Sequence, residues 1–248
     1  CDTAMIARRL EQEKVAPALI PEGREAAAAG LAQFADQVLF QHAVAINFQP
    51  KGLAARFAGL PEQVVQGFMA DRKALFEKGT ANRLDSAVAL SQWPALLSRL
   101  ETQLQRDGDF LLGDAPCIAD FAHYHALWFV GSNAAVADAL AGYPAVNSWM
   151  QRMADIGHGV ASELSAEEAV RIAKEATPAE LPSNPITSPG SFALGQAVTV
   201  SAVDYGADEV AGTLVFEGAE EIIIAREDDR VGLVHVHFPR YGYAIKAA

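Results

Sequence analysis

A turn that runs straight into an apolar helix constrains this chain more than any other stretch of it. The segment is Leu111–Val130, LLGDAPCIADFAHYHALWFV. Gly113-Asp114-Ala115-Pro116 is turn chemistry: Gly tolerates positive φ, Asp bonds back to its own backbone, and Pro fixes φ. A helix is predicted from Cys117. Asp120, three residues on, can accept from the orphan N–H groups of the first turn and complement the positive end of the helix dipole. Phe121, Ala122, Tyr124, Ala126, Leu127, Trp128, Phe129 and Val130 make the helix apolar on nearly every side, so it is expected to be central and packed all round. Cys117 stands where a hydroxyl would cap best. That predicts a half-complete capping box and a helix start weaker by about 1 kcal/mol.

Helical periodicity surrounds this segment. Residues 1–14 read as a loop entering a helix, with Thr3 or Asp2 as N-cap. Pro17, Pro21 and Gly23 mark a linker. Residues 24–49 repeat Ala26, Ala27, Leu31, Phe34, Val38, Leu39, Val44 and Ile46 at helical spacing. Gly52–Leu60 reads as a loop or weak helix, and Pro61 opens a helix that Gly79 ends. Asp85 or Ser86 starts another helix, in which Pro94 predicts a kink or restart and Asp107-Gly108-Asp109 the end. Three more helical stretches are expected at 134–140, 144–154 and 166–176, the last with Ser165 as cap and Glu168 three on.

At Thr177 the pattern changes. Pro178, Pro182, Pro185 and Pro189 among Ser, Asn and Thr form a linker. Short β runs then recur at 197–203, 212–217, 221–226, 232–238 and 241–245, which predicts a small barrel-like domain or half-open roll. The expected fold is therefore a mainly α helical bundle followed by a small all-β domain.

Composition excludes some functions. The formal net charge is −12 over 248 residues, so no basic surface is expected to meet nucleic acid. Apolar runs stop well short of the ~18 residues a membrane span needs. Two cysteines, Cys1 and Cys117, make no disulfide framework and fit a reducing cytoplasm. A chain beginning at Cys1 reads either as a lipoprotein with a lipidated first residue or as the continuation of an upstream segment. The amphipathic pattern of Ala4, Met5, Ile6 and Leu10 starts at once, without a polar tether, and favours the second.

Gly-Asp-x-Pro-(Ser/Thr)-Ile-Ala-Asp, here Gly113–Asp120 with Cys117 at the hydroxyl position, resembles the segment opening the core helix in the C-terminal domain of glutathione S-transferases. Asp2-Thr3-Ala4-Met5-Ile6 resembles the acidic-hydroxyl pair that opens a helix at the end of that family's thioredoxin-like domain. The resemblance spans roughly Cys1–Ala176 and leaves out the β segment. It implies that residues 1–14 end a thioredoxin-like domain otherwise absent from this sequence. A helical domain over 15–176, a linker over 177–190 and an accessory β domain over 191–248 complete the division. It further implies a cytoplasmic homodimer that uses glutathione as cosubstrate, with no metal, to conjugate or transfer thiol to a small electrophile. Asp2 and Thr3 would hold the γ-glutamyl end, the carboxylate pairing with its ammonium and the helix N-terminus with its carboxylate. Phe40, Val44 and Phe48 would line the apolar pocket of the second substrate, or else serve as core or dimer contacts. The thiol-activating residue would lie upstream of Cys1. Two alternatives are a non-catalytic transferase-fold interaction module and a lipoprotein or binding protein.

Other constellations carry less. Cys117 beside Pro and Ile reads as buried and inert rather than reactive. His123 and His125 point about 200° apart on a helix. His235 and His237 share a strand face, better read as a polar face than a metal site. Glu217, Glu220, Glu221, Glu227, Asp228 and Asp229 read as a solvated acidic surface. Arg24, Arg72, Lys73, Arg83 and Arg99 are candidates, among which the sequence does not choose, for the glycine carboxylate of glutathione or for an acidic substrate.

Overall fold

The computed structural model describes residues 2–13, 17–81, 83–106, 108–186 and 192–248. Cys1, Val15, Asp107 and Pro189 lie outside them. The chain divides into two units: Cys1–Arg9, Gly67–Ala81 and Ala161–Ala248 in one, and Leu10–Gln66 and Asn82–Val160 in the other.

The helices are α1 (Thr3–Glu13), α2 (Glu25–Phe34), α3 (Phe40–Asn47), α4 (Pro50–Arg56), α5 (Glu62–Leu75), α6 (Ser86–Leu104), α7 (Ile118–Gly131), α8 (Pro144–Asp155) and α9 (Ala166–Glu175). Their starts reflect local chemistry. The Asp85 carboxylate accepts from the N–H groups of Ala87 and Val88 at 2.8 and 3.2 Å, and the Ser165 hydroxyl accepts from Glu168 N–H at 3.1 Å. Each satisfies donors that a helix's first turn leaves open. Pro50 and Pro144 sit at the first helical position, where a missing N–H costs nothing. Pro94 does not restart its helix: α6 runs through it unbroken.

The long helix expected over 24–49 holds an interruption that periodicity does not reveal. Residues Ala35–Leu39 form a π turn between α2 and α3. One π turn inserts an extra residue and rotates every side chain beyond it.

Helix α7 is the centre of the second unit, with α2, α3 and α8 packed on it. Its buried residues, Ala119, His123, Ala126, Leu127 and Val130, make one stripe at helical spacing. The expectation of packing all round is corrected on the other side. Phe121, His125 and Trp128 face outward, and Trp128 is 52% exposed. Composition counts apolar residues but does not say how many neighbours the bundle has left to cover them.

The strands are β1 (Ala197–Ala202), β2 (Val210–Glu217), β3 (Glu221–Asp228), β4 (Gly232–Pro239) and β5 (Tyr243–Ala247). They form an antiparallel sheet in the order β4-β3-β2-β1-β5. This corrects the barrel-like expectation: β4 and β5 are the two edges of an open sheet. The expected last strand also moves on by two residues, because Gly242 turns the chain with φ +84°. Val198, Val200, Leu214, Ile222, Ile224 and Phe238 make the core of one face.

A bulge between Leu214 and Phe216 resets the pairing of the last residues of β2. Phe216 pairs with Ile223, and Glu217 with Ile222. Paired residues share a face, so Glu217 falls on the core side. It is 4% exposed and pairs with Arg240 at 2.6 Å. Glu217 is therefore not part of the solvated acidic surface expected for this run.

Candidate functional site

Asp2 stands at the entrance to α1 with φ +76°, the one non-glycine residue with positive φ among those described. Its Oδ1 accepts from Ala4 N–H at 2.8 Å, and its carbonyl accepts from Ile6 N–H at 3.1 Å. Asp2, rather than Thr3, is therefore the cap. Thr3 is the first helical residue, and both are exposed. A left-handed non-glycine residue is strained, and such strain collects at ligand sites.

The second oxygen of Asp2 meets the β sheet. Tyr243 of β5 donates its hydroxyl to Oδ2 at 3.3 Å, with its ring against Phe238, centroids 5.5 Å apart. Burial, then the nearby negative charge of Asp2 and Asp204, pushes the phenol up to about 12. The hydroxyl therefore stays protonated and remains a donor.

The backbone at Asp204 is pinned by hydrogen bonds. Its carbonyl accepts from Ala81 N–H at 2.9 Å, and that of Val203 accepts from Thr80 N–H at 3.0 Å. Gly79, with φ +110°, lies so close that a Cβ there would fall 2.1 Å from the Asp204 carbonyl oxygen. Val203 N–H in turn donates to Gly242 O at 3.0 Å, beside Tyr243.

In the other unit, Phe40 and Val44 sit four residues apart on α3 and Phe48 caps its C-terminus, all half-buried. The Phe40 ring stacks on His125 at 4.9 Å and meets Phe129 at 6.2 Å. Phe48 meets Phe129 at 6.3 Å, over which Arg56 lies at 4.6 Å. The result is an aromatic strip with a cation at one end. His125 and Phe129 of α7 belong to it, although the sequence does not mark them as pocket residues; their i, i+4 spacing is the available signal. A separate cleft of about 450 Å³ is lined by Tyr124, Trp128, Leu140, Asn147, Met150 and Gln151.

Helix α7 begins on a buried carboxylate hub. Asp120 accepts from Cys117 N–H at 3.0 Å, Leu111 N–H at 2.9 Å, the Cys117 thiol at 3.2 Å and the Trp149 indole at 2.9 Å. The capping box is complete, with the thiol in the place of the hydroxyl, which corrects the expectation of a half-complete box. Burial and the Asp120 carboxylate push the Cys117 thiol up to about 11, so it is inert.

Three of the remaining polar candidates have structural partners. Buried His123 lies 2.8 Å from Ala119 O, and desolvation holds it below the usual imidazole range. His237 pairs with Glu221 at 2.9 Å. Arg72 pairs with Asp71 at 2.5 Å. Among the described residues, no three His, Cys, Asp or Glu side chains gather as a metal-binding group, and no helix is long and apolar enough to cross a membrane.

Comparison with known proteins supplies the family. The model of the glutathione S-transferase C-terminal domain matches residues 74–156. A GST-like protein from Pseudomonas syringae, known from its crystal structure, is 44% identical with a TM-score of 0.83, over 100% of this chain and 78% of that one. The chain belongs to the glutathione S-transferase family. A glutathione S-transferase from Rhodospirillum rubrum F11 is 16% identical (TM-score 0.44, 66% of each chain). A glutathione S-transferase-I bound with lactoylglutathione is 18% identical (TM-score 0.44, 62% of this chain and 64% of that one). No curated protein matches.

Proposed function

We propose that the protein uses glutathione as cosubstrate, held at its γ-glutamyl end by Asp2 and Thr3, and joins its thiolate to a small electrophile or exchanges thiols with it. The observation that carries this reading is Asp2, strained to φ +76° and capping α1, in a chain of this family. The strain fixes a carboxylate at the positive end of a helix, where Oδ2 can meet the ammonium and the Thr3 hydroxyl and first-turn dipole the α-carboxylate.

In this reading residues 1–14 end a thioredoxin-like domain, 15–176 are the transferase helical domain, 177–190 a linker and 191–248 an accessory domain. The thiol-activating residue belongs to the thioredoxin-like part and stabilises the thiolate with a hydrogen bond. The second substrate lies along Phe40, Val44 and Phe48, where stacked rings favour an aromatic electrophile. The protein is a cytoplasmic homodimer.

Titrating the full-length protein with glutathione while monitoring ultraviolet thiolate absorbance tests this. Saturable binding with a rising thiolate signal is expected. Binding without that signal would contradict the enzyme and favour a non-catalytic interaction module.

A further inference from the structure

We propose that the second substrate is an aromatic carboxylate and that Arg56, at the end of α4, is the residue that reads its charge. This rests on the reading that the second substrate lies along Phe40, Val44 and Phe48, and adds the chemical class of that molecule. Arg56 is a specificity residue: it meets the carboxylate and takes no part in bond making.

Three observations carry it. First, ring surface and positive charge are contiguous. Phe129 is the common member of the strip. The Phe40 and Phe48 rings lie 6.2 and 6.3 Å from it, and the Arg56 guanidinium carbon lies 4.6 Å from its centroid. A molecule with an aryl face and a carboxylate attached to it matches that order.

Second, Arg56 is held by neutral groups, so its charge is not cancelled. Its Nη2 donates to Asn47 Oδ1 at 3.3 Å. An amide oxygen leaves the net charge on the guanidinium and most of the N–H fork open. Arg56 is exposed, so the fork is accessible. Among the described residues no carboxylate lies within ion-pair distance of it, whereas Lys51 on the same helix pairs with Asp138 at 3.5 Å. In a chain of formal net charge −12, an anion needs such a local cation to be held.

Third, a buried polar bracket sets the position of the guanidinium. Asn47 is fully buried. Its Nδ2 donates to Ala43 O at 3.2 Å and to Phe129 O at 3.0 Å. Its Oδ1 also accepts from Asn133 Nδ2 at 3.1 Å, and Asn133 Nδ2 donates to Gly52 O at 3.1 Å. The same amide therefore holds the α7 backbone at Phe129 and places Arg56 over that residue's ring. Gly52 lets α4 lie against the end of α3, since a Cβ there would fall 2.1 Å from Asn47 O. A side chain held in place before binding loses less freedom when the ligand arrives.

The test is calorimetry of naphthoate and of the naphthamide of the same isomer on the full-length protein; the two share a ring system and differ in charge. The unaltered protein is expected to bind naphthoate roughly tenfold more tightly. Arg56→Gln should remove that preference and leave the affinity for naphthamide unchanged. Arg56→Lys, which keeps the charge and loses the fork, should restore part of it. A preference that survives Arg56→Gln, or equal weakening of both ligands by that variant, would overturn the inference. Phe40→Leu and Phe48→Leu should weaken both ligands alike. If they do so while the unaltered protein binds the two ligands equally, the inference falls and the reading of the strip stands. If those variants change neither ligand, or neither ligand binds, both fall.

Discussion

Trp149 donates its indole N–H to Oδ1 of Asp120 at 2.9 Å, and neither residue is accessible to solvent. The bond ties the start of α7 to the middle of α8 across 29 residues of sequence. The same carboxylate closes the turn at Leu111 and caps its own helix. Removing it leaves buried donors with nothing to meet. Asp120→Ala should lower unfolding stability by about 3–5 kcal/mol in urea titrations. Asp120→Asn, which keeps one acceptor oxygen, should cost about half of that. Equal stability in the two variants would contradict the role given to the second oxygen.

Cys117 is the least polar member of that hub. Its replacement by Ser keeps the size close and puts a better cap beside the same partners, so Cys117→Ser should raise stability by up to about 1 kcal/mol. The site has both an acceptor in Asp120 and N–H groups of the first turn, so the hydroxyl is not stranded despite full burial. Cys117→Ala, which lacks both capping and thiol bonding, should be the less stable of the two.

The same thiol gives the protein an alkaline limb. Its folded pKa is raised to about 11, against roughly 8.5–9 in an unfolded chain. Below the unfolded value both states hold the proton and the stabilisation is complete. As pH rises from there through about 11 the unfolded chain releases the proton first, so stability falls, by about 2–3 kcal/mol in all. Tyr243 shifts the same way, so the contribution of the thiol is the difference between native protein and Cys117→Ser. Urea unfolding of the two at about pH 8 and about pH 10 should show a smaller loss for the Ser variant. Parallel losses would contradict the assignment.

Glu101 of α6 caps a helix that is not its own. Its carboxylate accepts from Ala145 N–H at 3.1 Å and from Val146 N–H at 2.9 Å, the open donors at the start of α8. Glu101→Gln turns an amide N–H₂ toward one of those donors and should cost about 1–2 kcal/mol, read as a lower urea midpoint. No change would mean that α8 starts equally well on Pro144 alone.

Legibility in the sequence depends on how far apart the interacting residues lie. The capped start of α7 is legible because turn, cap and apolar run are contiguous in the chain. Its full hub is not, since Leu111 and Trp149 reach Asp120 from 9 and 29 residues away. The cap that Glu101 lends to α8 comes from 44 residues away and leaves no local trace. The π turn at Ala35–Leu39 changes neither composition nor the broad period. The bulge in β2 reverses which face Glu217 occupies, so an acidic run that reads as surface includes a buried carboxylate paired with a partly exposed Arg240. Five strands can be counted from turn signals, but whether their edges meet is decided by strand order, and β5 pairs with β1. At the candidate site the capping pair Asp2-Thr3 is visible locally, whereas Tyr243 stands 241 residues away. The aromatic strip is half legible: α3 positions come from spacing, while His125 and Phe129 join it only when α7 packs on α3.

Glutathione binding at the start of α1 is the central claim. The direct measurement is calorimetry of glutathione binding to full-length protein carrying Asp2→Ala together with Thr3→Ala. Removing the charge-assisted bond and the hydroxyl should weaken affinity at least roughly tenfold, while circular dichroism and the thermal midpoint report the same fold. Unchanged affinity in a folded double variant would contradict the assignment of this site.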